Sequence, residues 1–191
     1  MTHPTLPPSA APQAALPAGA ARQVLYQALA ALAMAKPTGR PFAISTAYAQ
    51  VARGNRGLAA LASSEVCWDA ALHWGRCIGS TDHVVDLLCE RCETAASRAE
   101  EQEAERFGSG HNARERARQH AFEASALSAQ VADGDWEVKV LLRVSDVLDR
   151  CGNPDAAALL QTRALRLMSG NLDAGQPDPH LLPGLGRLAD A

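Results

Sequence analysis

The chain has 191 residues and 20.1 kDa, is 47% hydrophobic but only 4% aromatic, and carries a net charge of −3 with a pI near 6.1. That length suits one domain with tails, and the mild acidity excludes a general nucleic-acid binder, which would present a basic face. No run reaches the roughly 18–20 apolar residues that a membrane-spanning helix needs.

About a fifth of the residues are alanine, while the β-branched and aromatic types that strands favour are sparse. An all-α fold follows, with a core of Ala, Leu and Val. Lysine occurs only at Lys36 and Lys139, an arginine bias that reads as the coding signature of a GC-rich bacterium. The start lacks the basic residues and unbroken apolar core of a secretory signal, so a cytoplasmic location is expected. Cys67, Cys77, Cys89, Cys92 and Cys151 make an odd count, which argues for reduced thiols over a disulfide framework.

Residues 1–19 contain Pro4, Pro7, Pro8, Pro12 and Pro17. Each proline removes an amide donor and disfavours helix in the residue before it, so a disordered tail is predicted. From Ala20 to Lys36, Val24, Leu25, Ala28, Leu29, Leu32 and Ala35 recur at helical spacing. Pro37 and Gly39 end that helix. A second is predicted over Phe42–Arg53, burying Phe42, Ile44, Ala47, Tyr48 and Val51.

Leu58 to Ile78 is apolar on more than one side, with Leu58, Leu61, Ala62, Val66, Ala70, Leu72 and Cys77 as the predicted buried stripe and Trp68 and Trp74 beside it. Ser63-Ser64 is a predicted split within it. After Gly79, Ser80, Thr81 and Asp82 are candidate caps for a fourth helix whose large apolar residues fade beyond Leu88. Its far end is expected to protrude into solvent or to lean lightly on a neighbour.

A flexible connection at 107–112 leads to a fifth helix over 113–132, capped by Asn112. "SRAEEQEAER" and "ARERARQHAFE", on either side of that connection, read as solvated, charged faces. Helices six and seven follow at 136–151 and 154–169. Pro154 suits a first helical turn, Asn153 a cap, and Gly152 the left-handed stop that closes helix six. Residues 171–191 are expected to be irregular, with Leu181, Leu182, Leu185 and Leu188 as an apolar hook. The expectation is about seven antiparallel helices in one domain over 20–170.

The segment 138–169 resembles a single tetratricopeptide repeat (TPR). Gly152 stands at the family's turn glycine, Ala157 and Ala164 at its two alanines, and Leu165 and Leu167 at its closing apolar pair. Leu141 replaces the usual tryptophan, Ser145 the glycine, Leu148 the tyrosine and Gln161 a large aromatic. An array would repeat at about 34 residues. That step back from Gly152 lands on Arg118, inside a predicted helix, and Gly54 with Ala59 gives only a weak echo. The sequence thus predicts one TPR-like hairpin without an array, the alternative being an irregular helical bundle.

The resemblance implies a non-catalytic, adaptor- or chaperone-like module that binds another protein's peptide or helix in a helical groove, with Leu141, Ser145 and Leu148 facing the partner. No cofactor is expected. The competing reading is a metal- or thiol-dependent sensor or enzyme. It would use the Cys89-Glu-Arg-Cys92 pair, with His73 and Cys77 as further zinc ligands, because zinc takes four soft or imidazole ligands. Self-association is a third reading. No P-loop or dinucleotide fingerprint occurs.

Overall fold

Seven α-helices make up the described residues, 18–105 and 110–170, of this computed structural model: α1 (Ala18–Ala35), α2 (Pro41–Gly57), α3 (Leu61–Arg76), α4 (Thr81–Ala104), α5 (His111–Ser128), α6 (Gly134–Arg150) and α7 (Pro154–Met168). No strand occurs among them. The predicted tails, the leucines of the apolar hook, and residues 106–109 of the predicted connection lie outside the described residues, but Ala18 and Gly19 belong to α1.

After α1 the helices pair as successive hairpins, α2/α3, α4/α5 and α6/α7, and α4 also packs against α6. The turn before α7 follows its local chemistry. Gly152 adopts φ +72°, and the Asn153 side chain accepts a hydrogen bond from the Ala156 amide. Asp133 caps α6 in the same way, accepting from the Trp136 amide. At α5 the cap differs from expectation. Gly110, not Asn112, occupies that position at φ +58°, where an added Cβ would lie 2.8 Å from the Ala99 carbonyl oxygen. Only glycine suits both that conformation and that space.

The hairpins repeat one packing pattern. On the first helices, Leu141, Val144, Ser145 and Leu148 of α6 and Val85, Leu88, Cys89 and Cys92 of α4 are buried at identical spacing. Val51 and Ala52 hold the central places on α2, flanked by the half-buried Tyr48 and Asn55. On the second helices a small pair seven residues apart is buried each time: Ser64 and Ala71, Ala117 and Ala124, Ala157 and Ala164. Small residues let helix axes approach closely, and each fully buried leucine contributes about 1.5–3 kcal/mol.

The recurrence escaped a fixed-period search because the middle hairpin is longer. Twelve residues separate Ser145 from Ala157 and Ala52 from Ser64, but 28 separate Cys89 from Ala117. The true counterpart of Gly152 is Ala59, a non-glycine residue at φ +57°, and the echo at Gly54 was five residues out of register.

Several burial expectations need correction. Val66 is 69% exposed while its neighbour Glu65 is 4% exposed, so the α3 stripe is rotated by one residue; Ala62 and Cys77 are also exposed. Phe42 projects outward at 59%, lying 5.3 Å from the His83 ring. Ser63-Ser64 does not split α3, since the buried Ser64 hydroxyl donates to the Ala52 carbonyl at 2.8 Å. The far half of α4 does not protrude. Thr94, Ala95, Ala96 and Ala99 are buried, and α5 runs along α4. Gly54 lets α1 close on α2, since a Cβ there would sit 3.0 Å from the Leu25 Cα.

Burying Glu65 requires compensating charge, and it comes from three arginines on two helices. The buried Arg91 of α4 donates to Glu65 at 2.8 Å and to Asp69 at 2.8 Å; Arg98 of α4 and Arg116 of α5 meet the other Glu65 oxygen. The charged segments read as solvated faces thus hold helices together. Arg114 pairs with Glu103, and Arg118 donates to the Cys151 carbonyl. Burial alone raises the Glu65 pKa, but hydrogen bonds from Arg91 and Arg98 and the charges of Arg91 and Arg116 outweigh it, leaving the carboxyl below its ordinary value.

A carboxylate with a depressed folded pKa contributes stability that is present above the unfolded pKa of about 4.3 and is lost as pH falls through the lower folded value. Urea unfolding followed by circular dichroism should therefore show a steep loss of stability below pH ~4. Glu65→Gln should be less stable at pH 7 by about 3 kcal/mol, with a flatter acid limb. Parallel pH curves for the two proteins would contradict the assignment.

Candidate functional site

The predicted partner-binding residues sit in the core. Leu141 and Leu148 are 0% exposed and Ser145 is 2% exposed, its hydroxyl donating to the Leu142 carbonyl at 2.9 Å. This corrects the assignment: these three side chains pack α6 inside its hairpin and offer no area to a partner.

The outward positions of the same helices form a different surface. Lys139, Leu142, Arg143, Asp146 and Asp149 lie there on α6, Asp86, Glu90 and Glu93 on α4, and Arg53 and Arg56 on α2. Ion pairs tie them into one face. Arg56 meets Glu90 at 2.9 Å and Glu93 at 3.3 Å, Arg143 meets Glu93 at 2.7 Å, and Arg53 meets Glu90 at 3.4 Å. Three arginines from the outer two helices thus enclose two glutamates of the central one. Further along, Arg150 holds Glu100 at 2.8 Å. Arg53 also lies over the Trp68 ring, 5.6 Å from its centroid.

Leu142, beside Arg143 on α6, is 46% exposed, and Lys139 and Asp86 make no ion pair among the described residues. No sequence signal marked this face, because its charges come from helices some 50 residues apart, as with Glu93 and Arg143.

The cysteine alternative meets a different geometry. Cys89 and Cys92 are 0% exposed, with Cys92 donating to the Cys89 carbonyl, whereas Cys77 is exposed and donates to the His73 carbonyl at 3.4 Å. Among the described residues no three His, Cys, Asp or Glu side chains are grouped to hold a metal ion. Burial pushes the Cys89 thiol up to about 12 and the Cys92 thiol well above the ordinary range. Ligation and nucleophilic attack both need the thiolate.

Two other polar groupings are structural in the same sense. Ser45 is fully buried and donates its only proton to the Ala71 carbonyl at 2.8 Å. His83 Nε2 lies 2.9 Å from the same hydroxyl oxygen, and burial seals that hydroxyl from solvent. A shallow cleft of about 300 Å³ is lined by Arg76, Gly79, Ser80, Thr81, Val84, Glu123 and Leu127. Arg76 and Glu123 neutralise each other there at 2.8 Å. Nearby His120 is held neutral-favouring, first by burial and then by the charge of Arg91.

Protein-family models, curated proteins and solved structures were all compared with the chain, and none matches it.

The thiol environments predict a graded reactivity. A chromogenic disulfide reagent should modify Cys77 rapidly in the native protein and the half-buried Cys67 more slowly. Cys89, Cys92 and Cys151, all buried, should react only once urea unfolds the chain. Five fast thiols without denaturant would contradict the burial.

Proposed function

We propose that the chain is a non-catalytic, TPR-like interaction module whose partner, a peptide or helix of another protein, lies across the outward face of α2, α4 and α6. One observation carries this reading: the ion-paired row from Arg53 and Arg56 through Glu90 and Glu93 to Arg143 makes one continuous face from three hairpins. Stacked helical hairpins use such extended faces to bind partners.

The ladder leaves most of its own charge neutralised, so a partner gains little by replacing those pairs. Leu142 offers apolar burial, and Lys139 and Asp86 offer unpaired charge. Specificity would come from matching Lys139 with an acid and Asp86 with a base while an apolar side chain covers Leu142.

Affinity capture from the native host with the full chain tests this. Leu142→Asp and Lys139→Glu should each weaken recovery of a specific partner by about tenfold, the scale of a moderate interface residue. Leu165→Asp, on the outer side of α7, should leave it unchanged. Equal recovery with all three variants, at unchanged circular dichroism, would overturn the assignment of this face.

A further inference from the structure

The second helices of the three hairpins share one register, and only two of them have it covered. Aligned on their small pairs, Glu65, Trp68, Leu72 and Gly75 of α3 correspond to Arg118, Ala121, Ser125 and Ser128 of α5 and to Ala158, Gln161, Leu165 and Met168 of α7. The spacing i, i+3, i+7, i+10 places each set on one helix face. On α3 all four are buried, and on α5 all but the half-buried Arg118. On α7 all four are exposed, Leu165 at 64% and Met168 at 66%.

The cover comes both times from the helix that follows in the chain. Trp68 donates to Thr94 of α4 at 3.0 Å and Glu65 accepts from Arg91 of α4, while Arg118 donates to the Cys151 carbonyl at the end of α6. Those following helices start soon after their seats end, α4 at Thr81 after Arg76 and α6 at Gly134 after Ser128. Helix α7 packs on α6, and its corresponding face meets no later helix among the described residues.

From this we propose that residues 181–188 of the same chain cover the open face of α7, in the place that α4 takes on α3 and α6 on α5. Residues 171–191 lie outside the described residues. Their large apolar residues are all leucine: Leu172, then Leu181, Leu182, Leu185 and Leu188. Gly170, at φ +67°, turns the chain out of α7. The ten residues 171–180 reach about 33 Å when extended, and the 15 residues of α7 span about 22 Å, so the leucines can meet any part of the face.

Connectivity selects this occupant. A segment joined to its seat by a short linker meets it at a roughly millimolar effective concentration, above that of a second copy or a separate protein. The seat is also confined to one side of α7. Leu159 is 50% exposed, but its counterpart on α3, Val66, is 69% exposed with the cover in place, so that position stays outside.

Hydrogen exchange read by mass spectrometry on the full chain tests this, because changes at 181–188 leave the α7 peptides chemically identical. Leu181→Ser, Leu182→Ser, Leu185→Ser and Leu188→Ser combined should speed exchange in the last two turns of α7 about tenfold, with unchanged circular dichroism. Leu165→Glu should speed it as much, and adding the four serine changes to it should add nothing. Leu159→Glu should leave those turns as in the parent. Unchanged exchange in the four-serine variant, as cover by another protein or by none requires, would overturn the proposal. So would additive effects of the two sets, or α7 protection that rises with protein concentration between roughly 1 and 200 µM, the mark of a second copy.

Discussion

A carboxylate removed from water must be met by positive charge, and the Glu65 site is where that demand organises the molecule. Its partners come from α4 and α5, so α3 can bury that face only when both are in place. The rest of the interior cannot specify this arrangement as sharply. Alanine, valine and leucine side chains pack in many registers at similar energy, whereas a guanidinium bridging Glu65 and Asp69 fits one. Arg91, 2% exposed, is the group that closes the junction. Interior ion pairs contribute little net stability against an apolar substitute but penalise any packing that leaves one partner alone.

What could be read from the sequence followed the range of the interaction concerned. The turn between α6 and α7 was legible because its determinants, Asn153, Pro154 and Gly152, act on backbone within a few residues. Trp68 as a core residue was legible from size. The burial of Glu65 was not, because α3 is apolar around much of its circumference and periodicity alone cannot choose between neighbouring registers. Choosing needs Arg91, Arg98 and Arg116, whose positions no local pattern relates to Glu65. The far half of α4 misled for a related reason: Ala95, Ala96 and Ala99 look like weak core residues, yet their smallness is what admits α5.

The repeating pattern was hidden by length rather than by chemistry. Once the longer middle hairpin is allowed, Cys89 and Cys92 take the places that Ser145 and Leu148 hold in α6. The CxxC spacing then has a packing origin, with two compact thiols where helices meet closely. The same equivalence explains why Leu141, Ser145 and Leu148 are unsuited to meet a partner. They are the inward half of a helix whose outward half, one residue on at Leu142 and Arg143, carries the exposed face. The three side chains expected to face a partner are instead part of the core.

These relations converge on the coupling between Glu65 and Arg91, which a double-mutant cycle measures directly through Glu65→Leu, Arg91→Met and the pair together, unfolded in urea at pH 7. Each single change should cost about 3–5 kcal/mol by stranding a buried charge, and the double change should cost less than their sum by at least about 1.5 kcal/mol. Additive losses, agreeing within about 0.5 kcal/mol, would mean that the two groups do not meet in the folded chain and that the junction of α3, α4 and α5 is held some other way.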